Sequence, residues 1–238
     1  MYKKIEGIII SEYPFEESSK IINIFTKEGI IGVIAKGAKK IKSPFFSSTT
    51  KLCYGTFDII YKENGLSKLK EATITNDYRK IRKDINKISY ATYITELSSQ
   101  VYKHEKNKEI LSLYIASLDK IEEGYNPLII SNILKLKLLD YLGIRPVIDR
   151  CVECSSKKDI ITISSYLGGY VCKNCRKNEP LVSPKTISLI RMLYYVDISK
   201  ITKLEISDEI AKEIDKFTND YYDRYSGIYL KSKILLEV

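Results

Sequence analysis

The first 76 residues of the chain alternate between short apolar runs and turn residues. Five of these runs are rich in Val, Ile, Thr, Tyr and Phe. Within each run the apolar residues recur at roughly every second position, which is typical of strands. They cover residues 2–11, 19–26, 30–37, 51–61 and 66–75. In the fourth run Phe57, Ile59 and Tyr61 are spaced to share one face. Five strands in a segment of this size predict an OB-type barrel, although an SH3-like barrel has nearly the same pattern.

From about Asp77 the apolar residues recur at helical spacing. One stripe comprises Ile81, Ile85, Ile88, Ile94, Leu97 and Val101. A second helix is predicted over residues 108–122. A third should begin at Asn126 as the N-cap, with Pro127 in the first turn, and stop at Gly143. Because its interior is apolar nearly all round, we expect it to be the buried central helix.

Capping residues predict two more helices in the C-terminal third of the chain. Ser183 followed by Pro184 should open a fourth helix. Ser207 should cap a fifth, in which Asp208 and Glu209 are well placed against the helix dipole. The inner stripe of this fifth helix comprises Ile210, Ile214, Phe217, Tyr221 and Tyr225.

Four of the five cysteines form two C-x-x-C pairs: Cys151, Cys154, Cys172 and Cys175. The 17 residues between the pairs fall in the range of four-cysteine zinc sites, in which each pair places two thiolates on one side of the metal. A hairpin is predicted between the pairs, with positive φ angles at Gly168 and Gly169. Four thiolates leave no open coordination position, and the only histidine, His104, lies far upstream. The pattern therefore favours a structural zinc over a catalytic metal or a redox pair.

These elements predict an α+β chain of two domains. Residues 1–76 form an OB-type five-stranded β-barrel, and residues 77–238 form an α-helical domain with an inserted four-cysteine zinc hairpin at about 148–178. The fifth cysteine, Cys53, lies in an apolar strand pattern and is predicted to be a small buried side chain.

The net charge of +9 favours polyanionic partners, with nucleic acid before anionic membrane. Residues 1–80 carry 14 basic against 9 acidic side chains, so more than half of the excess lies in the predicted barrel. The densest cluster comprises Lys36, Lys39, Lys40 and Lys42. It is either a nucleic-acid-binding loop or a solvated one. Phe45 and Phe46 follow directly, either as platforms for base stacking or as anchors to the barrel core.

Enzyme signatures are missing from the sequence. It contains no phosphate-binding loop, dinucleotide-binding fingerprint, nucleophile elbow or set of protein-kinase motifs. A general acid/base pair needs two carboxyl groups that face each other across a cleft, whereas the paired acidic residues here are adjacent in sequence. The N-terminus does not read as a signal peptide, because Glu6 interrupts its apolar stretch, and no apolar run is long enough to span a bilayer. The cysteine usage indicates a reducing cytoplasm. We therefore expect a cytoplasmic binding protein that is not an enzyme and has no membrane partner.

Three segments resemble the RecO family of bacterial recombination mediators. The first, SKIINIFTKEGIIGVIAKGAKKIKS, is similar to the family's strand and basic loop, although two residues rather than three separate Thr26 from Gly29. The second is C-x-x-C…S-x-x-x-G-G-x-x-C-x-x-C, through Ser165 and the two glycines of the hairpin. The third is the closing YYDRYSGIYLKSKILLEV. Their order and the chain length together carry the resemblance.

The resemblance implies an OB fold that binds single- and double-stranded DNA. It implies annealing of complementary strands and, in concert with RecR, help for RecA in replacing single-strand binding protein on DNA. The acidic, hydrophobic C-terminal tail of that binding protein would dock on the helical domain, and the chain would associate with the nucleoid when active. The alternative is a zinc-containing RNA-binding or transcription-associated scaffold, which would depend on 2′-hydroxyl contacts.

Overall fold

A computed structural model describes residues 1–236. The last two residues of the predicted helical domain, 237 and 238, lie outside the described part. The chain divides into two compact units. One comprises Met1–Lys83 with Lys106–Ser112, and the other comprises Asp84–Glu105 with the residues from Leu113 onward.

The N-terminal strands close into a barrel. They are β1 (Tyr2–Phe15), β2 (Ser19–Thr26), β3 (Gly29–Ala35), β4 (Tyr54–Ile60) and β5 (Ser67–Asn76), in the order β1-β2-β3-β5-β4 with β1 also paired to β4. β3 and β5 pair in parallel, whereas the other neighbours are antiparallel. A short helix, α1 (Phe45–Ser48), lies between β3 and β4. This arrangement confirms the OB-type barrel and excludes the SH3-like alternative.

Alternate residues of the strands fill the barrel interior. Ile22, Ile24, Val33, Phe57 and Ile59 are all fully buried in one core cluster. Tyr61 packs against this cluster and Cys53 is 2% exposed within it, so both predictions are confirmed. β1 runs four residues beyond its predicted end, because a bulge between Ile9 and Ser11 bends the strand so that it goes on pairing with β2.

The remaining elements are mostly helical. The helices are α2 (Arg79–Arg82), α3 (Ile85–His104), α4 (Glu109–Glu123), α5 (Pro127–Tyr141), α6 (Pro184–Tyr195) and α7 (Asp208–Tyr225). The strands β6 (Ile160–Ser164) and β7 (Gly169–Cys172) form a hairpin between α5 and α6. Short 3-10 helices cover Ile198–Lys200 and Lys231–Leu236. Within the described residues, no helix combines the length and apolar character needed to cross a bilayer.

The predicted caps of the later helices are confirmed in position. The Asn126 side chain accepts a hydrogen bond from the Leu128 amide at 3.0 Å, and Ser183 accepts one from the Thr186 amide at 3.0 Å. Ser207 stands at the N-cap of α7 but makes no side-chain capping bond. α5 is buried along most of its length, as expected for the central helix.

Two residues depart from the predicted apolar stripes. The first stripe is interrupted at Asp84, whose carboxylate accepts a hydrogen bond from the Lys87 amide at 3.1 Å and caps a new helix. Ile85 therefore occupies the first turn of α3 and is 83% exposed. At the end of α7, Tyr225 is 39% exposed instead of internal, and its hydroxyl donates to the Tyr166 carbonyl at 2.8 Å.

A buried charge lies between α5 and α7. The Lys135 side chain is 1% exposed, and its ammonium donates to Asp215 Oδ1 at 2.5 Å and to Asn219 Oδ1 at 3.1 Å. Burial lowers the pKa of Lys135, while the Asp215 carboxylate acts in the opposite direction. The Tyr222 hydroxyl donates to the Lys135 carbonyl at 2.9 Å, so this network ties the two helices together.

Candidate functional site

The hairpin of β6 and β7 holds the two cysteine pairs in place, and its two glycines have different roles. Gly168 has a φ of 88°, as predicted, because the turn needs a left-handed residue there. The same prediction for Gly169 is wrong. Gly169 is required because a Cβ at this position would lie 2.2 Å from the Val147 carbonyl oxygen. The Val147 backbone bonds to both sides of the turn: its amide donates to the Gly168 carbonyl, and its carbonyl accepts from the Tyr170 amide.

We expect Gly169→Ala to lower the free energy of unfolding by about 2 kcal/mol, within the range for overpacked sites, because the clashing atom belongs to the backbone. Gly168→Ala is the matched control. The added Cβ would make only an ordinary van der Waals contact, with Tyr221 Oη at 4.0 Å, so this variant carries only the left-handed strain of about 1 kcal/mol. Denaturant unfolding of both variants measures the difference. A larger loss for Gly168→Ala would contradict the close-approach explanation.

Each cysteine pair sits in a tight backbone turn. In the first, the Cys151 amide donates to the Ser156 carbonyl at 2.7 Å and the Ser155 amide donates to the Cys151 carbonyl at 2.9 Å. In the second, the amides of Cys175 and Arg176 both donate to the Cys172 carbonyl, at 3.2 and 3.0 Å. These turns direct both sulfurs of a pair to the same side.

The four sulfur atoms converge on one point. All lie within 4.8 Å of one another, and the Sγ atoms of Cys154 and Cys172 are 3.7 Å apart. Two thiolates at 2.3 Å from a tetrahedral zinc would be separated by about 3.8 Å, whereas a disulfide requires about 2.0 Å. The Cys172 amide also donates to Cys151 Sγ at 3.4 Å, as suits a thiolate. The residues therefore fit a tetrahedral all-sulfur site that can hold one metal ion.

The thiols of this cluster differ in how readily they lose a proton. Burial opposes ionisation of Cys151, but hydrogen bonds from the backbone at Cys154, Cys172 and Glu153 outweigh it and lower its pKa to about 6. The Cys175 pKa is raised to about 12, chiefly by hydrogen bonding with the Cys154 and Cys172 side chains. Because a metal binds thiolates, loading of the site must release the protons that remain.

The lysine loop, residues 36–42, connects β3 to the segment that precedes α1. Its backbone is anchored: the Lys39 amide donates to the Ser18 carbonyl at 2.9 Å, and the Lys40 amide donates to the Gly37 carbonyl at 3.0 Å. Ala38 is fully buried in the barrel core. The four lysine side chains, by contrast, are exposed. None of them forms an ion pair within the part of the chain that is described.

The two phenylalanines after this loop differ in exposure. The sequence left open whether they anchor the loop to the core or offer rings for stacking. Phe45 is partly buried and packs against the barrel core, whereas Phe46 is 44% exposed. Phe46 is thus the aromatic ring available to a ligand beside the lysines. The loop also adjoins an acidic turn, because Ser18 directly follows the exposed Glu16 and Glu17. His104, the last residue of α3, is exposed and far in sequence from either cluster.

Two family models match the chain. "Recombination protein O N terminal" covers residues 1–78 and "Recombination protein O C terminal" covers residues 82–234. The chain is 35% identical to DNA repair protein RecO of Bacillus pumilus, over 98% of this chain and 93% of that protein. It is 33% identical to DNA repair protein RecO of Bacillus subtilis and 31% identical to that of Halalkalibacterium halodurans. Both matches cover 100% of this chain, with 94% and 95% of the respective relatives.

Proposed function

Because the chain belongs to the RecO family of DNA repair and recombination proteins, we propose that it is a mediator of recombinational repair that binds DNA. It anneals complementary single strands and, together with RecR, assists the loading of RecA onto DNA coated by single-strand binding protein. The observation that supports this function most is the lysine loop, a set of exposed, unpaired ammonium groups on an anchored backbone of an OB-type barrel.

The chemistry of the loop suits annealing better than sequence reading. Lysine is a compact charge on a flexible stem, so it contacts phosphates without fixing a base-specific geometry. Neutralising phosphates reduces the repulsion between two strands and leaves the base edges free to pair. We propose Lys36, Lys39, Lys40 and Lys42 as the phosphate contacts and Phe46 as a stacking platform, because such a ring is sequence-tolerant.

We propose residues 1–76 as the DNA-binding domain and residues 77–238 as a helical domain with a zinc subdomain at about 148–178. The metal is Zn²⁺ in a structural role, because four thiolates fill a tetrahedral shell and leave no position for substrate. The protein then acts through binding, without catalysing a reaction. Its family further suggests a docking site for the tail of single-strand binding protein on the helical domain, RecA as an indirect partner, and a cytoplasmic place at the nucleoid.

Replacing Lys39, Lys40 and Lys42 with Ala should weaken DNA binding about tenfold or more at moderate salt, because each lysine releases counterions when it contacts a phosphate. On single strands, the plot of log affinity against log salt should become shallower by about 2, from about 0.7 per lost contact. Fluorescence anisotropy with a labelled oligonucleotide at four salt concentrations measures both quantities, and thermal stability should hardly change.

The matched control replaces Lys4, Lys68 and Lys70 with Ala. These exposed lysines lie on β1 and β5 of the same barrel, and their replacement removes the same number of positive charges. The proposal expects a much smaller loss for this control. Equal losses in affinity and slope for the two triple variants would show that only overall charge matters, and would remove the lysine loop as the binding site.

A further inference from the structure

The lysine loop carries a large apolar side chain on its outer side. Ile41 is 84% exposed, the highest value among the large apolar side chains that the structure describes. The loop is anchored to the barrel core by a different residue, Ala38, which is fully buried there. Ile41 therefore gains almost no hydrophobic burial from folding, and its side chain is free to contact a ligand.

The backbone holds Ile41 in a defined position. Ile41 is a central residue of a turn in which the Ser43 amide donates to the Lys40 carbonyl at 2.9 Å. A second turn follows at once, in which the Phe46 amide donates to the Ser43 carbonyl at 3.1 Å. A residue on such an ordered turn loses less conformational entropy on binding than a residue on a flexible loop.

The neighbours of Ile41 decide what kind of ligand reaches it. A single exposed isoleucine is ordinary on a protein surface. Ile41, however, stands between Lys40 and Lys42, whose exposed ammonium groups form no ion pair within the described residues. These charges attract polyanions, and a nucleic acid is a polyanion that also offers apolar surface, on the faces of its bases.

Single-stranded and duplex DNA differ in what they offer to Ile41. Both forms present phosphates to the lysines, but the base faces are accessible in a single strand and are covered by stacking in a duplex. We propose that Ile41 packs against the bases of single-stranded DNA and loses this contact when the strands pair. The proposal rests on the proposed DNA binding by the lysine loop. It makes Ile41 a residue that favours unpaired strands over the annealed product, and so assists release of the duplex.

Ile41→Ser should lower the affinity for a single strand about fivefold and leave the affinity for duplex unchanged, because only the contact with accessible base faces buries apolar surface. Ile41→Leu should keep most of the single-strand affinity, since it supplies another apolar side chain. Fluorescence anisotropy measures both affinities on the full-length protein. The labelled strand contains only adenine and cytosine, so that it neither pairs with itself nor offers a thymine methyl group, and its duplex is the comparison.

The same strand with 2-aminopurine in place of one adenine reports the contact directly. The fluorescence of this base is quenched by stacking, so a side chain that packs between bases raises it. Saturating wild-type protein should produce the rise, and saturating Ile41→Ser should produce a smaller one. An equal rise with the two proteins would contradict the proposed contact.

Ile85→Ser is the matched control, because Ile85 is 83% exposed and belongs to the other compact unit. It should leave both affinities unchanged, and unfolding curves of each variant exclude a folding defect. An unchanged single-strand affinity of Ile41→Ser, an equal loss on duplex, or an equal loss for Ile85→Ser would overturn the proposal. If the lysine-loop triple variant loses affinity while Ile41→Ser does not, only the role of Ile41 fails. Wild-type protein that binds no DNA would refute both this role and the proposed function.

Discussion

Chelation of the proposed zinc should unfold the hairpin of β6 and β7 and leave the DNA binding that we propose for the barrel intact. The two strands are only 5 and 4 residues long, and an isolated two-stranded hairpin is marginally stable in water. Metal binding at such sites carries roughly 10–16 kcal/mol of apparent free energy that is coupled to folding. We therefore expect loss of amide protection over residues 148–178, with the barrel strands still protected.

Hydrogen exchange followed by mass spectrometry measures this outcome, and metal analysis should find one zinc per chain. Cys154→Ser should show the same local loss, while Cys53→Ser, outside the cluster, should not. The effect should also depend on pH. Since even the Cys151 thiol has a pKa of about 6, protons compete with the metal increasingly as pH falls through that value. Metal-free protein with unchanged protection of the hairpin would contradict a structural metal.

Asp215→Ala should strongly destabilise the helical unit. It leaves the fully buried Lys135 ammonium without its carboxylate, and breaking a buried pair in this way costs several kcal/mol. We expect a loss of about 3 kcal/mol, at the low end of that range, because the Asp215 side chain is itself 30% exposed. Urea unfolding at pH 7 measures the loss.

The double variant Lys135→Met with Asp215→Leu is the informative control. Replacing both partners with apolar side chains removes the desolvation penalty, so most of the lost stability should return. The sign of the pH dependence follows from the lowered pKa of Lys135. At a pH between the lowered pKa of Lys135 in the folded protein and 10.5, the unfolded chain binds more protons than the folded one. Lys135 therefore adds stability as pH rises through this range, and the double variant should lack that gain. A double variant as unstable as Asp215→Ala would show that packing, not charge, dominates here.

Local signals in the sequence were enough for most of the fold. Strand runs, the Asn126 and Ser183 caps and the C-x-x-C spacing all depend on residues close in sequence, and the structure bears them out. The failed expectation at Ile85 also has a local cause. Asp84 is a good N-cap, and a cap outweighed the regular spacing of isoleucines as a signal for where α3 begins.

Long-range contacts account for what the sequence did not reveal. Gly169 is small because of Val147, which lies 22 residues earlier, and Lys135 is buried with Asp215, 80 residues later. The different fates of the adjacent Phe45 and Phe46 depend on which of them faces the closed barrel.

The rate at which the protein pairs two complementary oligonucleotides tests the proposed function most directly, measured with the strands bare and with the strands coated by single-strand binding protein. A mediator that screens phosphates while leaving bases free should accelerate pairing in both cases, and the lysine-loop triple variant should lose the acceleration. Binding of DNA without any acceleration would contradict the annealing role. In that case tighter binding of RNA than of DNA would favour an RNA-binding scaffold.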